Sequence, residues 1–127
     1  MKKFKVEKLI RDKILDNILS NKLNKVDYRI LTNDNLLINL KKKFFEELKE
    51  LDLSDKEDAK KELADLQLII DTCLKTLGIN KKEFKEIGKN KNKKVGKFDK
   101  KIYVKTVELD EKDEWFNYYL KKYKEIK

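Results

Sequence analysis

"LLINLKKKFFEELKELDLSDKEDAKKELADLQLIIDTCLKTLG", residues 36–78, decides the fold. Leu37, Leu40, Phe44, Leu48 and Leu51 recur every three or four positions, so they share one face of a helix. Asn33 or Asp34 can cap its start, and the pattern runs to about Leu51. "DLSDKED" reads as a short turn, with Ser54 or Asp55 as the next N-cap. A second helix follows, with Ala59, Leu63, Leu66, Ile70, Cys73 and Leu77 on its face, while Ile69 only borders it. Gly78 ends this helix at the position where a left-handed residue is favoured. Two long helices joined by about five residues form an antiparallel hairpin.

The hairpin carries carboxylates where a core stripe expects apolar residues. Glu47 lies three after Phe44 and four before Leu51, inside the apolar sector; Glu50 is at its edge and Glu46 beyond it. Glu62 lies three after Ala59 and four before Leu66, and Asp65 borders the same face. The end of one antiparallel helix faces the start of the next, so Glu47, Glu50, Glu62 and Asp65 can converge. A solvated face of Glu–Lys pairs explains Glu46, with Lys42, Lys43 and Lys49 nearby, and Glu57, with Lys60 and Lys61. It explains carboxylates within a core stripe less well, because these are costly unless compensated. A divalent cation is the simplest compensator, and hard oxygen ligands favour Mg²⁺, with Mn²⁺ as the alternative. The absence of histidine disfavours zinc sites and histidine general bases.

Outside the hairpin the pattern is weaker. "KVEKLIRDKILDNILSNKL" predicts an amphipathic helix from about Arg11 to Lys22, and "VDYRILT" an extended piece. A short helix is expected over 80–88, then a lysine-rich loop containing Gly96. "KIYVKTVEL" predicts a minor extended element near 100–108, and a last helix is expected over about 110–126. The fold class is therefore all-α, a helical bundle built on the hairpin, in a single domain over 1–127.

Composition narrows the function classes. The chain has 127 residues, 39% hydrophobic and 45% charged, which is globular rather than disordered. No apolar run is long enough to span a bilayer, and "MKKFKVEKLIRDK" lacks the apolar core of a signal peptide. One cysteine, Cys73, excludes a disulfide framework within the chain and suits a cytoplasmic location. The net charge of +9 points to anionic ligands or to solubility. Only Arg11 and Arg29 are arginines among 33 basic residues, so nucleic acid is not the expected partner.

"FFEELKE" followed by "ELADLQLIID" resembles the paired E-x-x-E and E-x-x-D motif of the MazG-like all-α nucleoside triphosphate pyrophosphatases. "KLIRDKI" (8–14), "YRIL" (28–31) and "KNKNKKVGKFDKKIYV" (89–104) resemble the house-cleaning, phosphoribosyl-ATP-pyrophosphohydrolase-like branch. Leu15 stands in place of that branch's usual proline, and Val95 in place of an arginine.

The resemblance implies Mg²⁺-dependent hydrolysis of ordinary or noncanonical NTP or dNTP to the monophosphate and pyrophosphate. Glu47, Glu50, Glu62 and Asp65 match the family's metal ligands. Glu46 or Glu50 is the candidate base, Glu46 also being a candidate to support the ligand shell. Lys8, Arg11, Lys13, Lys91 and Lys94 are the candidate phosphate-holding residues, helped by the eight lysines against one acid in 89–105. Phe44, Phe45, Tyr28 and Phe98 are expected in the core rather than stacked on a base. A homodimer or higher homo-oligomer is implied, with sites near subunit contacts. The alternatives are phosphoribosyl-ATP hydrolysis in histidine synthesis and a non-catalytic basic helical protein that binds nucleic acid.

Overall fold

The computed structural model describes all residues, 1–127, and the chain is all-helical, with five α-helices and no strand. Two compact units are distinguished, Met1–Lys89 and Asn90–Lys127.

The first unit is organised by α2 (Asn33–Glu50) and α3 (Lys56–Leu77), the one extensively packed helix pair. Its start and turn are set by short polar side chains. Thr32, one residue before the two expected caps, accepts from the Asn35 N–H at 3.2 Å. Asp52 accepts from the Ser54 N–H and hydroxyl at 2.9 and 2.6 Å, which shapes the turn. Asp55 accepts from the Glu57 and Asp58 N–H groups at 3.1 and 3.3 Å, satisfying two of the orphan donors of α3. Gly78 closes α3 at φ 69°, a conformation that costs glycine nothing.

The apolar seam of α3 is rotated from the expected one. Ala59, Leu66, Ile69 and Leu74 are buried, whereas Leu63 and Leu77 are exposed. Ile69 therefore belongs to the seam it was expected only to border. With Ala59, Glu62, Leu66, Ile69 and Cys73, α3 shows the 3-4-3-4 spacing of closely packed helices, matched by Leu37, Leu40, Phe44 and Glu47 of α2 and by Leu51 just after it. Both seams contain one glutamate. Leu40 is the least exposed apolar residue, at 4%. Leu40→Ala is expected to cost about 2–4 kcal/mol, because helix ends pinned by caps limit collapse into the cavity. Urea denaturation followed by circular dichroism would measure it, and a cost below about 1 kcal/mol would mean that this seam is not the core.

α1 (Asp12–Leu19) is shorter than predicted. The Ser20 hydroxyl donates to the Asn17 carbonyl at 2.6 Å and the Asn24 amide to the Ile18 carbonyl at 2.9 Å, so polar side chains close the helix before Lys22. Residues 25–32 form no helix or strand. α4 (Lys81–Val95) is longer than predicted, crosses from the first unit into the second, and replaces the first part of the expected loop. Gly88 lies within it without breaking it, since lysine-rich flanks keep helix propensity high. Gly96, at φ 82°, follows its last residue.

The second unit contains the end of α4, an irregular stretch and α5 (Phe116–Lys122). Residues 101–110 carry no helix or strand, so the expected extended element forms no sheet. The last helix starts six residues later than expected. Asp110 and Asp113 instead accept from the Lys112 and Trp115 N–H groups, each at 2.8 Å, and hold the backbone in turns. Tyr119 of α5 packs with Tyr123, just after the helix, with ring centroids 5.1 Å apart, and Lys122 lies 5.3 Å from the centre of the Tyr118 ring.

Candidate metal centre

Glu47 of α2 and Glu62 and Asp65 of α3 each offer a carboxylate oxygen, all within 4.8 Å of one another. The seam positions of Glu47 and Glu62 account for the meeting, since each faces the opposite helix. Glu47 is 8% exposed, the one buried charged residue of the chain. Glu62 Oε2 is buried without a hydrogen-bond partner. Burial pushes the Glu47 carboxyl above its ordinary value, and the neighbouring carboxylates of Glu62 and Asp65 push the same way. Lys43 opposes them from 3.8 Å.

An orphaned buried oxygen beside two further carboxylates fits a hard divalent cation. Glu47, Glu62 and Asp65 are the residues that would hold it. Glu50 stays outside this compact group and is exposed, one turn from Glu47. It is still near enough for its charge to raise the Lys8 pKa. Glu46 is also outside and is taken up by cations. Lys8 Nζ donates to its Oε1 at 3.0 Å, and Lys43 Nζ lies at 3.5 Å. The Lys8 bond holds the Glu46 carboxyl below its ordinary value, with Lys43 adding to the effect.

Two of the five candidate phosphate-holding residues come to this place. Lys8 reaches Glu46 on α2, and Arg11 donates through Nη2 to Asp65 on α3. Lys13 is exposed on α1 and forms no ion pair, and Lys91 and Lys94 are exposed on the part of α4 that lies in the second unit. Lys43 is a cation of the site that the sequence pattern marks only as a surface partner of Glu46. Its signal is the spacing of four residues to Glu47. Of the aromatic residues expected in the core, Phe44 is half-buried, but Tyr28, Phe45 and Phe98 are exposed, Phe98 at 95%. No protein-family model, curated protein or solved structure matches the chain.

Proposed function

We propose that this chain is a Mg²⁺-dependent nucleoside triphosphate pyrophosphohydrolase of the MazG-like type, acting in the cytoplasm as a homodimer. The observation that supports it most is the meeting of Glu47, Glu62 and Asp65 on the helix seam, with Lys8 and Arg11 at their border. A carboxylate group and a guanidinium side by side suit a metal–polyphosphate ligand, whose two parts carry opposite charges. In the reaction, a water oxygen bonds to phosphorus at the α–β anhydride, its proton passes to a carboxylate, and the bond from that phosphorus to the bridging oxygen breaks, giving the monophosphate and pyrophosphate.

The bound cation would shield the phosphates and acidify a water. Glu47, Glu62 and Asp65 would anchor it, and the burial of Glu47 away from water would strengthen that anchoring. Arg11 would hold phosphate oxygens through its planar fork, and Lys8 would add a point charge. Of the two candidate bases, Glu50 is better suited. Glu46 is ion-paired with Lys8 and held below its ordinary pKa, which makes it a weaker proton acceptor. Glu50 is exposed and has no ion-pair partner.

A homodimer is supported by apolar residues that the single hairpin leaves exposed, chiefly Ile38, Phe45, Leu63, Leu68 and Leu77. No helix is long and apolar enough to cross a membrane. The deciding experiment is pyrophosphate release from a panel of NTPs and dNTPs. Release is expected with Mg²⁺ or Mn²⁺ and should disappear with excess EDTA. Undiminished release in EDTA would remove the carboxylate centre from the mechanism, and no release from any nucleotide would favour the non-catalytic reading.

A further inference from the structure

Two ion pairs, Lys8–Glu46 and Arg11–Asp65, bring residues 8–11 onto the hairpin. Lys8 and Arg11 bond to different helices, across 38 and 54 residues of sequence. The segment between them therefore straps α2 to α3 at the carboxylate group. Glu7, immediately before the strap, has φ 48°, in the left-handed region that non-glycine residues rarely adopt. Leu9, between the two ion-paired residues, is half-buried.

Arg11 is bonded to Oδ1 of Asp65, one of the three carboxylates of the centre. A divalent cation coordinated among those oxygens would repel the guanidinium at short range, and would compete with it for the negative charge of Asp65. The competition is uneven, because the Arg11 and Asp65 side chains are 56% and 34% exposed and such pairs are weak. We infer that Arg11 is a built-in competitor of the cation. It neutralises Asp65 until a divalent cation takes its place, and the displaced guanidinium then serves the anionic part of the ligand. Arg11 thus couples the order of binding, cation first and polyphosphate second. This inference rests on the metal reading above.

The test uses the full chain, with Mn²⁺ and inorganic pyrophosphate as probes. Arg11→Gln is expected to tighten Mn²⁺ binding about two- to fivefold, the value of releasing one partly exposed ion pair. The same substitution should weaken pyrophosphate binding in saturating Mg²⁺ about tenfold or more, through loss of a charged donor. A residue important only for folding would move both affinities in the same direction. Arg11→Lys keeps the charge and should return Mn²⁺ affinity close to that of the wild type. Unchanged or weaker Mn²⁺ binding by a folded Arg11→Gln protein would overturn the inference.

If wild type and variant both fail to bind Mn²⁺, the metal reading falls first, and this inference falls with it. A second measurement needs no variant. Tryptic cleavage after Arg11 in the wild type should accelerate when Mn²⁺ is added, relative to cleavage after Arg29, which has no ion pair. An unchanged ratio in a protein that binds Mn²⁺ would also overturn it.

Discussion

Glu47→Gln should reduce pyrophosphate release at least about 10²-fold while leaving the metal-free protein as stable as the wild type or more so. The floor for the loss of activity is the roughly 10- to 100-fold typical of residues that only support metal ligands. The stability prediction follows from the burial of Glu47 among carboxylates. Its native pKa lies above the ordinary 4.5, so the native state binds the proton more tightly than the unfolded chain. Stability from this group is therefore greatest below that value, declines as pH rises through the raised native pKa, and stays low above it.

Glutamine cannot ionise, so this decline should be missing from the variant. Glu46 titrates with the opposite sign, because Lys8 lowers its pKa, and it contributes stability that is lost on acidification. The difference between variant and wild type cancels this shared effect and leaves the contribution of Glu47 with its carboxylate neighbours. Melting temperatures measured without divalent ions from pH 4 to 8 should show the variant gaining on the wild type as pH rises. Mg²⁺ should then raise the wild-type value and barely move that of the variant, since a ligand that binds only the native state stabilises by about 2.7 kcal/mol at a hundred times its Kd. A variant that melts clearly lower at pH 8 without metal would show instead that the Glu47–Lys43 pair, at 3.8 Å, is a structural ion pair.

The second large effect concerns assembly. Five apolar residues are buried, Leu40, Ala59, Leu66, Ile69 and Leu74, and all lie on the hairpin. Two helices with one seam leave their remaining apolar residues in water. Phe45 is 57% and Leu63 49% exposed. Packing two hairpins into a four-helix core would cover such faces with one symmetric contact. Light scattering at micromolar concentration should give twice the 15.3 kDa chain mass. Phe45→Glu combined with Leu63→Glu should weaken the dimer at least about 10²-fold, as expected when central apolar contacts become buried charges. Part of the helical circular-dichroism signal should be lost with it, because isolated helices depend on tertiary burial. A wild-type monomer that hydrolyses nucleotides at full rate would refute the dimer.

Features that the chain specifies locally are legible in its sequence. The α2–α3 hairpin, a cap at Ser54 or Asp55, of which the structure uses Asp55, the Gly78 stop and the all-α class follow from short-range rules of period, capping and left-handed glycine. The place of Glu47 inside an apolar stripe is legible for the same reason. Expectation and structure part where local signals are balanced. Leu63 and Ile69 are both apolar on a helix with apolar residues around much of its circumference, and only the facing surface of α2 selects Ile69. Gly88 and the lysines after it look like the end of a helix, yet the backbone continues to Val95.

The sequence pattern predicts convergence of four carboxylates, and the structure groups three of them, leaving Glu50 outside. Which oxygens meet depends on the rotation of α3 against α2, a quantity that no single helix encodes. The pairing of Lys8 with Glu46 and Arg11 with Asp65 is decided by tertiary structure alone. Charges so far apart in sequence have no periodicity to betray them, and among so many lysines any one could be the partner. They meet because the chain before α1 crosses the hairpin where its carboxylates are concentrated.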